Sequence, residues 1–303
     1  MKTRTLKSDV LLLLAAIIWG FAFVAQRVGM EYVGPFIFNG IRFALGSLVL
    51  VPYLVLQRKK RRSPQGLTRE RDRKILVFGG GLTGIILFLG ATLQQVGIVY
   101  TTAGKAGFLT GLYVIIVPLI GIFLGQRILF GTWLGALSAA VGLYLLCMTG
   151  KLSLSLGDSL VFVSALFWAV HCHILSWLSP KVGAIRLAFL QFTICSLFSM
   201  LFALLYETIS LQGIFDAAVP ILYGGLLSVG VAYTLQVIAQ KEAHPSHAAI
   251  ILCLESAFAV LGGWLILNEM LSFRGLIGCG FMFAGMILSQ LQIENRSIRA
   301  IFD

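Results

Sequence analysis

The first long uncharged stretch of the sequence is VLLLLAAIIWGFAFVAQ, residues 10–26. A helix needs roughly 20 mostly apolar residues to cross the hydrocarbon core of a membrane, and this run approaches that length. It does not alternate between apolar and polar residues as a strand of a membrane barrel does, so a helix is predicted. No cleavage site of small residues follows cleanly, so we predict a retained first span rather than a signal peptide.

Similar apolar runs recur along the chain and are interrupted once by a strongly basic stretch. We place ten spans, approximately at residues 10–29, 36–56, 75–97, 103–124, 130–149, 159–178, 186–206, 217–239, 247–267 and 274–292. Only 12% of the 303 residues are charged and the mean hydropathy is +0.95, whereas soluble domains carry about 25% charged residues. The sequence therefore predicts an all-α integral membrane protein with ten transmembrane helices.

The basic residues favour one orientation of these spans. The chain has 23 Lys and Arg against 12 Asp and Glu, a formal net charge of +11. If the N-terminus lies in the cytoplasm, most of these basic residues fall on the cytoplasmic side, so the positive-inside rule places both termini there. The densest group lies at residues 58–74. We expect it to face anionic lipid rather than nucleic acid.

The chain also contains a tandem repeat. Identical residues coincide at offsets of 149, 145 and 143 residues along the chain; they include Trp19 and Trp168, Gln95 and Gln240, and Gly142 and Gly285. The halves 1–150 and 151–303 hold five predicted spans each. Because five is an odd number, the second half would cross the membrane in the opposite direction to the first. Such inverted repeats are a transporter architecture with a substrate site near the middle of the membrane.

Four short motifs resemble a known family. They are WGFAFV at residues 19–24, YTTA at 100–103, LE at 254–255 and NEMLS at 268–272. In this order and spacing the chain resembles the drug/metabolite transporter superfamily, EamA type, over nearly its whole length. The resemblance implies a bacterial inner-membrane carrier, often an exporter of amino acids or related small metabolites, whose two halves line a central cavity. One departure is GQR at 125–127, where such halves often carry Gly and Glu.

Several polar residues inside the predicted spans are candidates for solute contact. Glu255, about eight residues into span nine, would bind a substrate ammonium or carry a coupling proton; the alternative is a structural carboxylate. Lys105, near the outer end of span four, would contact an anionic substrate, pair with a carboxylate or reach the headgroups. His171, three residues after Trp168, is either a proton relay or a hydrogen-bonded core histidine. Arg42 is interpreted as a structural or interfacial residue.

Aromatic and amide side chains are predicted to line the cavity. Tyr233 and Gln236 lie three residues apart on span eight, on one helical stripe. Together with the symmetric pair Trp19 and Trp168 they would form walls on which a small solute stacks and hydrogen-bonds. The alternative for all four is packing between helices. Gln95, nearer the end of its span, is interpreted as such a packing contact.

Two sites of helix interruption are predicted. Pro118 interrupts span four, and Gly262-Gly263 occupy the related part of span nine. Corresponding breaks in two halves are typical of a transporter site or hinge. Single Pro and Gly residues are also ordinary in membrane helices, which is the alternative.

Motifs for enzymatic chemistry are missing from the sequence. The five cysteines lie in apolar runs without a CxxC pair, and no P-loop, HExxH or GxSxG is present. We therefore predict no metal, cofactor or catalytic residue. From the residues and the resemblance together, we predict a secondary transporter that exports amino acids or related small metabolites by alternating access. An importer of a metabolite or vitamin, and a membrane-embedded lipid-modifying enzyme, are the alternatives; a homodimer is compatible with the sequence.

Overall fold

The computed structural model describes residues 2–60, 66–101, 103–126, 128–147, 155–267 and 272–302. Side chains are described at 6–56, 73–101, 106–126, 128–145, 155–266 and 272–289. These parts of the chain form helices and no β-strand. The α-helices are α1 (Lys2–Gly29), α2 (Pro35–Lys60), α3 (Gly66–Tyr100), α4 (Ala103–Gly111), α5 (Tyr113–Phe123), α6 (Phe130–Cys147), α7 (Leu156–Leu178), α8 (Ala184–Tyr206), α9 (Leu211–Asp216), α10 (Ala218–Leu222), α11 (Thr234–Ala239), α12 (Pro245–Leu252), α13 (Glu255–Leu267) and α14 (Phe273–Phe302), and a π-helix occupies Tyr223–Tyr233.

The apolar helices account for the membrane character of the protein. Among the described residues, eight segments are long and apolar enough to cross a membrane: Leu6–Gly29, Pro35–Leu56, Arg73–Tyr100, Ala106–Phe123, Leu156–Leu178, Ala184–Tyr206, Ala218–Ala239 and Pro245–Ile266. Two further apolar helices, Phe130–Leu145 and Phe273–Ser289, are shorter. The predicted all-helical, multi-pass membrane protein is confirmed, and the count of ten spans stays a prediction.

Acidic side chains bond to residues at the starts of α7 and α12. At the start of α7, the Ser155 hydroxyl accepts a hydrogen bond from the Asp158 backbone N–H, and the Asp158 carboxylate accepts one from the Ser155 N–H. Such a capping box satisfies two backbone donors that have no partner inside the helix. Asp9, which the 149-residue offset aligns with Asp158, lies 2.8 Å from Nε2 of His247 and so joins α1 to α12. Asp158 therefore caps its own helix, whereas Asp9 lies within α1 and contacts the first turn of α12.

Two of the spans are broken at corresponding places. The first break separates α4 from α5 at Leu112, and the second separates α12 from α13 at Cys253-Leu254. At both breaks, backbone N–H groups bond to carbonyl groups three residues earlier, as in a 3₁₀ turn. The sequence predicts interruptions instead at Pro118 and at Gly262-Gly263.

This difference corrects the predicted position of the breaks. Pro118 lies inside α5, and Gly262 and Gly263 lie inside α13. A proline ring strains the helical turn that precedes it, because it clashes with the carbonyl group four residues earlier. Glycine in a membrane helix is tolerated without a break when a neighbouring helix packs against it. A methyl group on Gly262 would meet Phe21 of α1 at 3.1 Å, which shows such packing.

Helices from the two halves of the chain are interleaved. The most extensive contacts join α6 with α14, α3 with α7, α2 with α8 and α1 with α13. The π-helix packs against both α1 and α2. The helices that surround the centre of the molecule therefore come from both halves.

The contact between α6 and α14 depends on glycine. A methyl group on Gly142 would lie 2.5 Å from the carbonyl oxygen of Gly278, and one on Gly135 would lie 2.7 Å from that of Gly285. Real Cβ atoms do not approach a carbonyl oxygen so closely, so only glycine fits at these points. Gly142 meets the earlier glycine of α14 and Gly135 meets the later one. The two helices therefore pack antiparallel, with their backbones in contact.

The start of α2 is capped by a residue from the other half of the chain. The Glu207 carboxylate, at the end of α8, accepts hydrogen bonds of 2.8 Å from the backbone N–H groups of Phe36 and Ile37. A carboxylate is favourable here because the N-terminus of a helix carries partial positive charge.

Glu207→Ala is expected to lower the free energy of unfolding by about 2 kcal/mol, because it leaves two backbone donors of α2 without an acceptor. The measurement is thermal unfolding of the purified protein in detergent. Asp216→Ala is the control, because that carboxylate is exposed and bonds only to Gln212 among the described residues. Equal unfolding temperatures for the two variants would show that Glu207 does not stabilise α2.

Candidate functional site

A cavity lies where helices of the two halves meet. It holds about 520 Å³ of space not filled by protein atoms, part of which is open to solvent. Its lining side chains are Trp19, Phe23 and Gln26 of α1, Arg42 of α2, Gln94 of α3, Thr110 of α4, Tyr113 of α5, Trp168 and Cys172 of α7, Ser228 and Tyr233 of the π-helix, Gln236 of α11, Leu252 of α12 and Glu255 of α13. Five of the residues predicted for the substrate site are among them.

Aromatic rings form one wall of the cavity. The Tyr233 ring lies between two tryptophans, with its centroid 4.6 Å from that of Trp19 and 6.0 Å from that of Trp168. The Trp19 indole N–H donates to the backbone carbonyl of Ser228 at 3.3 Å, and the Trp168 indole N–H donates to Oε1 of Gln94 at 2.8 Å. Both indole donors are thus used within the protein, which leaves the ring faces as the surface that a solute would meet.

Glu255 is the acidic residue of the cavity lining. It is only 6% exposed, and Oε1 accepts a hydrogen bond of 3.3 Å from the Tyr113 hydroxyl. Within the described part of the chain, it forms no ion pair. Glu255 and Tyr113 are the first residues of α13 and α5, so the two helix breaks meet across the cavity. A buried carboxylate at a helix start can accept a ligand cation or hold a proton.

Arg42 is a cavity residue that the sequence analysis placed elsewhere. It is 3% exposed and lies on α2, in the cavity lining. The sequence did contain a signal, because an arginine inside an apolar run is costly without a functional or structural partner. Tyr113 was also missed, although it precedes Glu255 by an offset close to that of the repeat.

Two glutamine side chains present unused acceptors near the cavity. Oε1 of Gln26 and Oε1 of Gln236 are buried and have no hydrogen-bond partner among the described residues. The amide nitrogen of Gln236 contacts the Cys172 sulfur at 3.7 Å. Buried polar atoms are nearly always bonded in native proteins, so water or a bound solute would bond to these oxygens.

Of the remaining predicted residues that the structure describes, His171 does not line the cavity. His171 lies behind the aromatic wall, with Nε2 2.9 Å from Oε1 of Gln191. The side chain of Lys105 lies outside the described residues. Gln95 makes the predicted packing contact, because its amide donates to the backbone carbonyl of Gln26 at 3.4 Å.

Tyr233→Ala is expected to lower the free energy of unfolding by about 3 kcal/mol or more, whereas Tyr233→Phe is expected to cost less than about 1 kcal/mol. The ring contacts five other rings and its loss would open a cavity in the packed wall. Denaturant unfolding in detergent measures both values. Phe215→Ala, at an exposed aromatic residue of α9, is the matched control. A similar loss for the Phe and Ala variants of Tyr233 would contradict this account of the wall.

Comparison with known families decides what kind of protein carries this cavity. A profile of the EamA-like transporter family matches the chain twice, over residues 6–148 and 155–291. The chain belongs to this EamA-like family. Its members are named for transport, and a cavity between two groups of membrane helices suits that activity. The chain is therefore a multi-pass membrane transporter, whose ligand is a small molecule.

Individual relatives agree with this family. The chain is 30% identical to an uncharacterized transporter of Archaeoglobus fulgidus over 96% of this chain and 88% of that protein. It is 24% identical to the uncharacterized transporter YoaV of Bacillus subtilis, over 93% of this chain and 96% of the other. A crystal structure with 18% sequence identity superposes with a TM-score of 0.74 and covers 95% of this chain and 98% of its own. At this low sequence identity, the similarity shows only that the two chains share a fold.

Proposed function

We propose that this EamA-like protein is a secondary transporter that exports amino acids or related small metabolites by alternating access. The observation that carries the proposal is the cavity itself, because helices of both halves supply one aromatic wall, one buried carboxylate and one buried guanidinium. Such a mixture suits a small solute with both apolar and charged parts. Trp19, Trp168, Tyr233 and Gln236 would contact the solute.

The proposed architecture is ten spans in two inverted halves, 1–150 and 151–303, with both termini in the cytoplasm of a bacterial cell. The antiparallel contact between α6 and α14 supports it, because the glycines of one helix are related to those of the other by the 143-residue offset. The two helix breaks support it as well, since they lie at related positions. In such a frame, rocking of one half against the other would expose the cavity to each side in turn.

Glu255 is proposed to couple transport to protons. Its carboxylate would bind a proton or the ammonium group of the solute, and exchange between the two would link their movements. His171 and Lys105 stay proposals as further polar contacts. Pro118 and Gly262-Gly263 stay proposals as hinges beside the observed breaks. The basic segment 58–74 is proposed to contact anionic lipid.

Transport in liposomes tests the proposal directly. Purified protein is reconstituted with unlabelled amino acids inside, and entry of the same labelled amino acid by exchange is measured against empty liposomes. We expect exchange for at least one amino acid and faster net export when a proton gradient is imposed. Absence of exchange for amino acids, amines, purines and carboxylates would overturn the proposal. Uptake without export in oriented membrane vesicles would favour an importer, and a changed lipid composition would favour an enzyme.

A further inference from the structure

The buried guanidinium of Arg42 is held in a fixed orientation. Its Nε donates a hydrogen bond of 2.9 Å to Oδ1 of Asn39, one turn earlier on α2. The amide nitrogen of Asn39 in turn donates to the backbone carbonyl of Ala91 on α3, at 3.2 Å. The rings of Phe38 and Phe43 lie 5.4 and 5.1 Å from the guanidinium carbon. One edge of the guanidinium is therefore bound to α2, and the guanidinium lies over two aromatic rings.

The other edge of the guanidinium has no protein partner among the described residues. Neither terminal nitrogen of Arg42 bonds to a side chain or backbone group there, and no carboxylate forms an ion pair with it. Burial of a charge without a partner costs free energy, so a bound anion at this edge would be stabilising. The two parallel N–H donors of such an edge match the two oxygens of a carboxylate.

We propose that Arg42 binds the carboxylate of the transported solute and makes that group a requirement for transport. This inference rests on the proposed transport function and adds a specificity-determining residue to it. Arg42, Tyr233 and Glu255 line the same cavity. When it is ionised, Glu255 would repel anions of higher charge, such as phosphate. A solute with one carboxylate and one ammonium group therefore fits the pair of charges better than a simple anion does.

Asn39 is a positioning residue in this arrangement. It does not reach the solute itself, but its side chain sets the direction of the Arg42 guanidinium through the hydrogen bond to Nε. Asn39→Ala is therefore expected to weaken carboxylate binding less than Arg42→Gln does. Arg42→Lys keeps the charge but loses the paired donors. Its affinity for the carboxylate is therefore expected to lie between that of the wild type and that of Arg42→Gln.

The experiment compares ligands that differ only in the carboxylate. Each of a set of L-amino acids is paired with the amine that lacks its carboxyl group, and binding to the full chain in detergent is followed by tryptophan fluorescence. For wild type we expect at least one amino acid to bind about 10- to 100-fold more tightly than its amine. Arg42→Gln is expected to bring this ratio close to one. Size-exclusion chromatography tests whether each variant is folded. If Arg42→Gln does not fold, the ratio of the affinities for the amino acid and its amine is measured on Asn39→Ala, where it is expected to be lower than in wild type.

Each outcome separates the inference from the transport function. An equal loss of affinity for the acid and its amine in Arg42→Gln would mean that Arg42 is only structural, even if wild type transports. A wild-type preference for amines, or no binding of any amino acid, would also overturn the inference. Binding that depends on Arg42 without exchange in liposomes would support the carboxylate site and overturn the transport proposal. Equal binding of chloride or phosphate would show a general anion site instead.

Discussion

Glu255→Gln is expected to abolish the dependence of transport on a proton gradient. The substituted amide has nearly the same shape, and its oxygen can still accept the hydrogen bond from Tyr113. It cannot take up or release a proton in the working pH range. Net export driven by an imposed pH gradient is therefore expected to fall at least about tenfold, the effect of a change of 1.4 kcal/mol. The measurement is efflux of a labelled solute from proteoliposomes with and without the gradient.

A comparison variant separates coupling from general damage. Asp216→Asn changes an acid of the short helix α9 that lies at the surface, outside the cavity lining, so its gradient-driven efflux should equal that of wild type. Exchange at equal pH tests whether Glu255→Gln still binds solute. If the Glu255 variant keeps its full response to the gradient, the carboxylate does not carry the coupling proton.

Gly142→Leu is expected to lower the free energy of unfolding as strongly as the loss of a buried aromatic ring does. The new side chain would begin within 2.5 Å of the carbonyl oxygen of Gly278, a backbone atom that cannot rotate away. Helices α6 and α14 would have to separate and lose their contact. Overpacking of this kind costs typically 1–3 kcal/mol, and we expect about 3 kcal/mol because the obstacle is backbone. Thermal unfolding in detergent measures it.

The same helix pair offers a matched control. Gly280 lies on α14, and a methyl group there would meet no heavy atom within 4 Å. Gly280→Leu is therefore expected to unfold at nearly the wild-type temperature. Similar unfolding temperatures for Gly142→Leu and Gly280→Leu would contradict the close crossing of α6 and α14.

The membrane helices could be predicted from the sequence because long apolar runs have few other stable structures in lipid. The two tryptophans of the cavity could also be predicted from the sequence, since the repeat aligns them and both lie deep in their spans. The helix breaks were placed wrongly because Pro118 is a visible signal, whereas the turn at Leu112 consists of ordinary apolar residues. Tertiary packing, not local sequence, determines where that turn tightens.

The rotation of helices limited the prediction of the cavity. Gln94 bonds to Trp168 in the cavity wall, while its neighbour Gln95 bonds to α1. One residue turns an α-helix by about 100°, so composition alone does not tell which of two adjacent amides faces a solute. Arg42 was assigned to an interface because it is only the seventh residue of the predicted span 36–56. The observed helix begins at Pro35, almost where the sequence predicts, so the error concerned the side chain, which is buried in the cavity lining.

The π-helix at Tyr223–Tyr233 bears on how this cavity acquires its shape. A π turn contains more residues than an α turn, so the number of residues held in wide turns sets the direction of every side chain that follows. Tyr233 ends this segment, and Gln236 lies within one turn of its end. The number of residues in the wide turns therefore sets the direction of the Tyr233 ring, independently of the tilt of the helix. Insertion or deletion of one residue near Gly224 would swing Tyr233 away from the tryptophans without altering any residue of the lining.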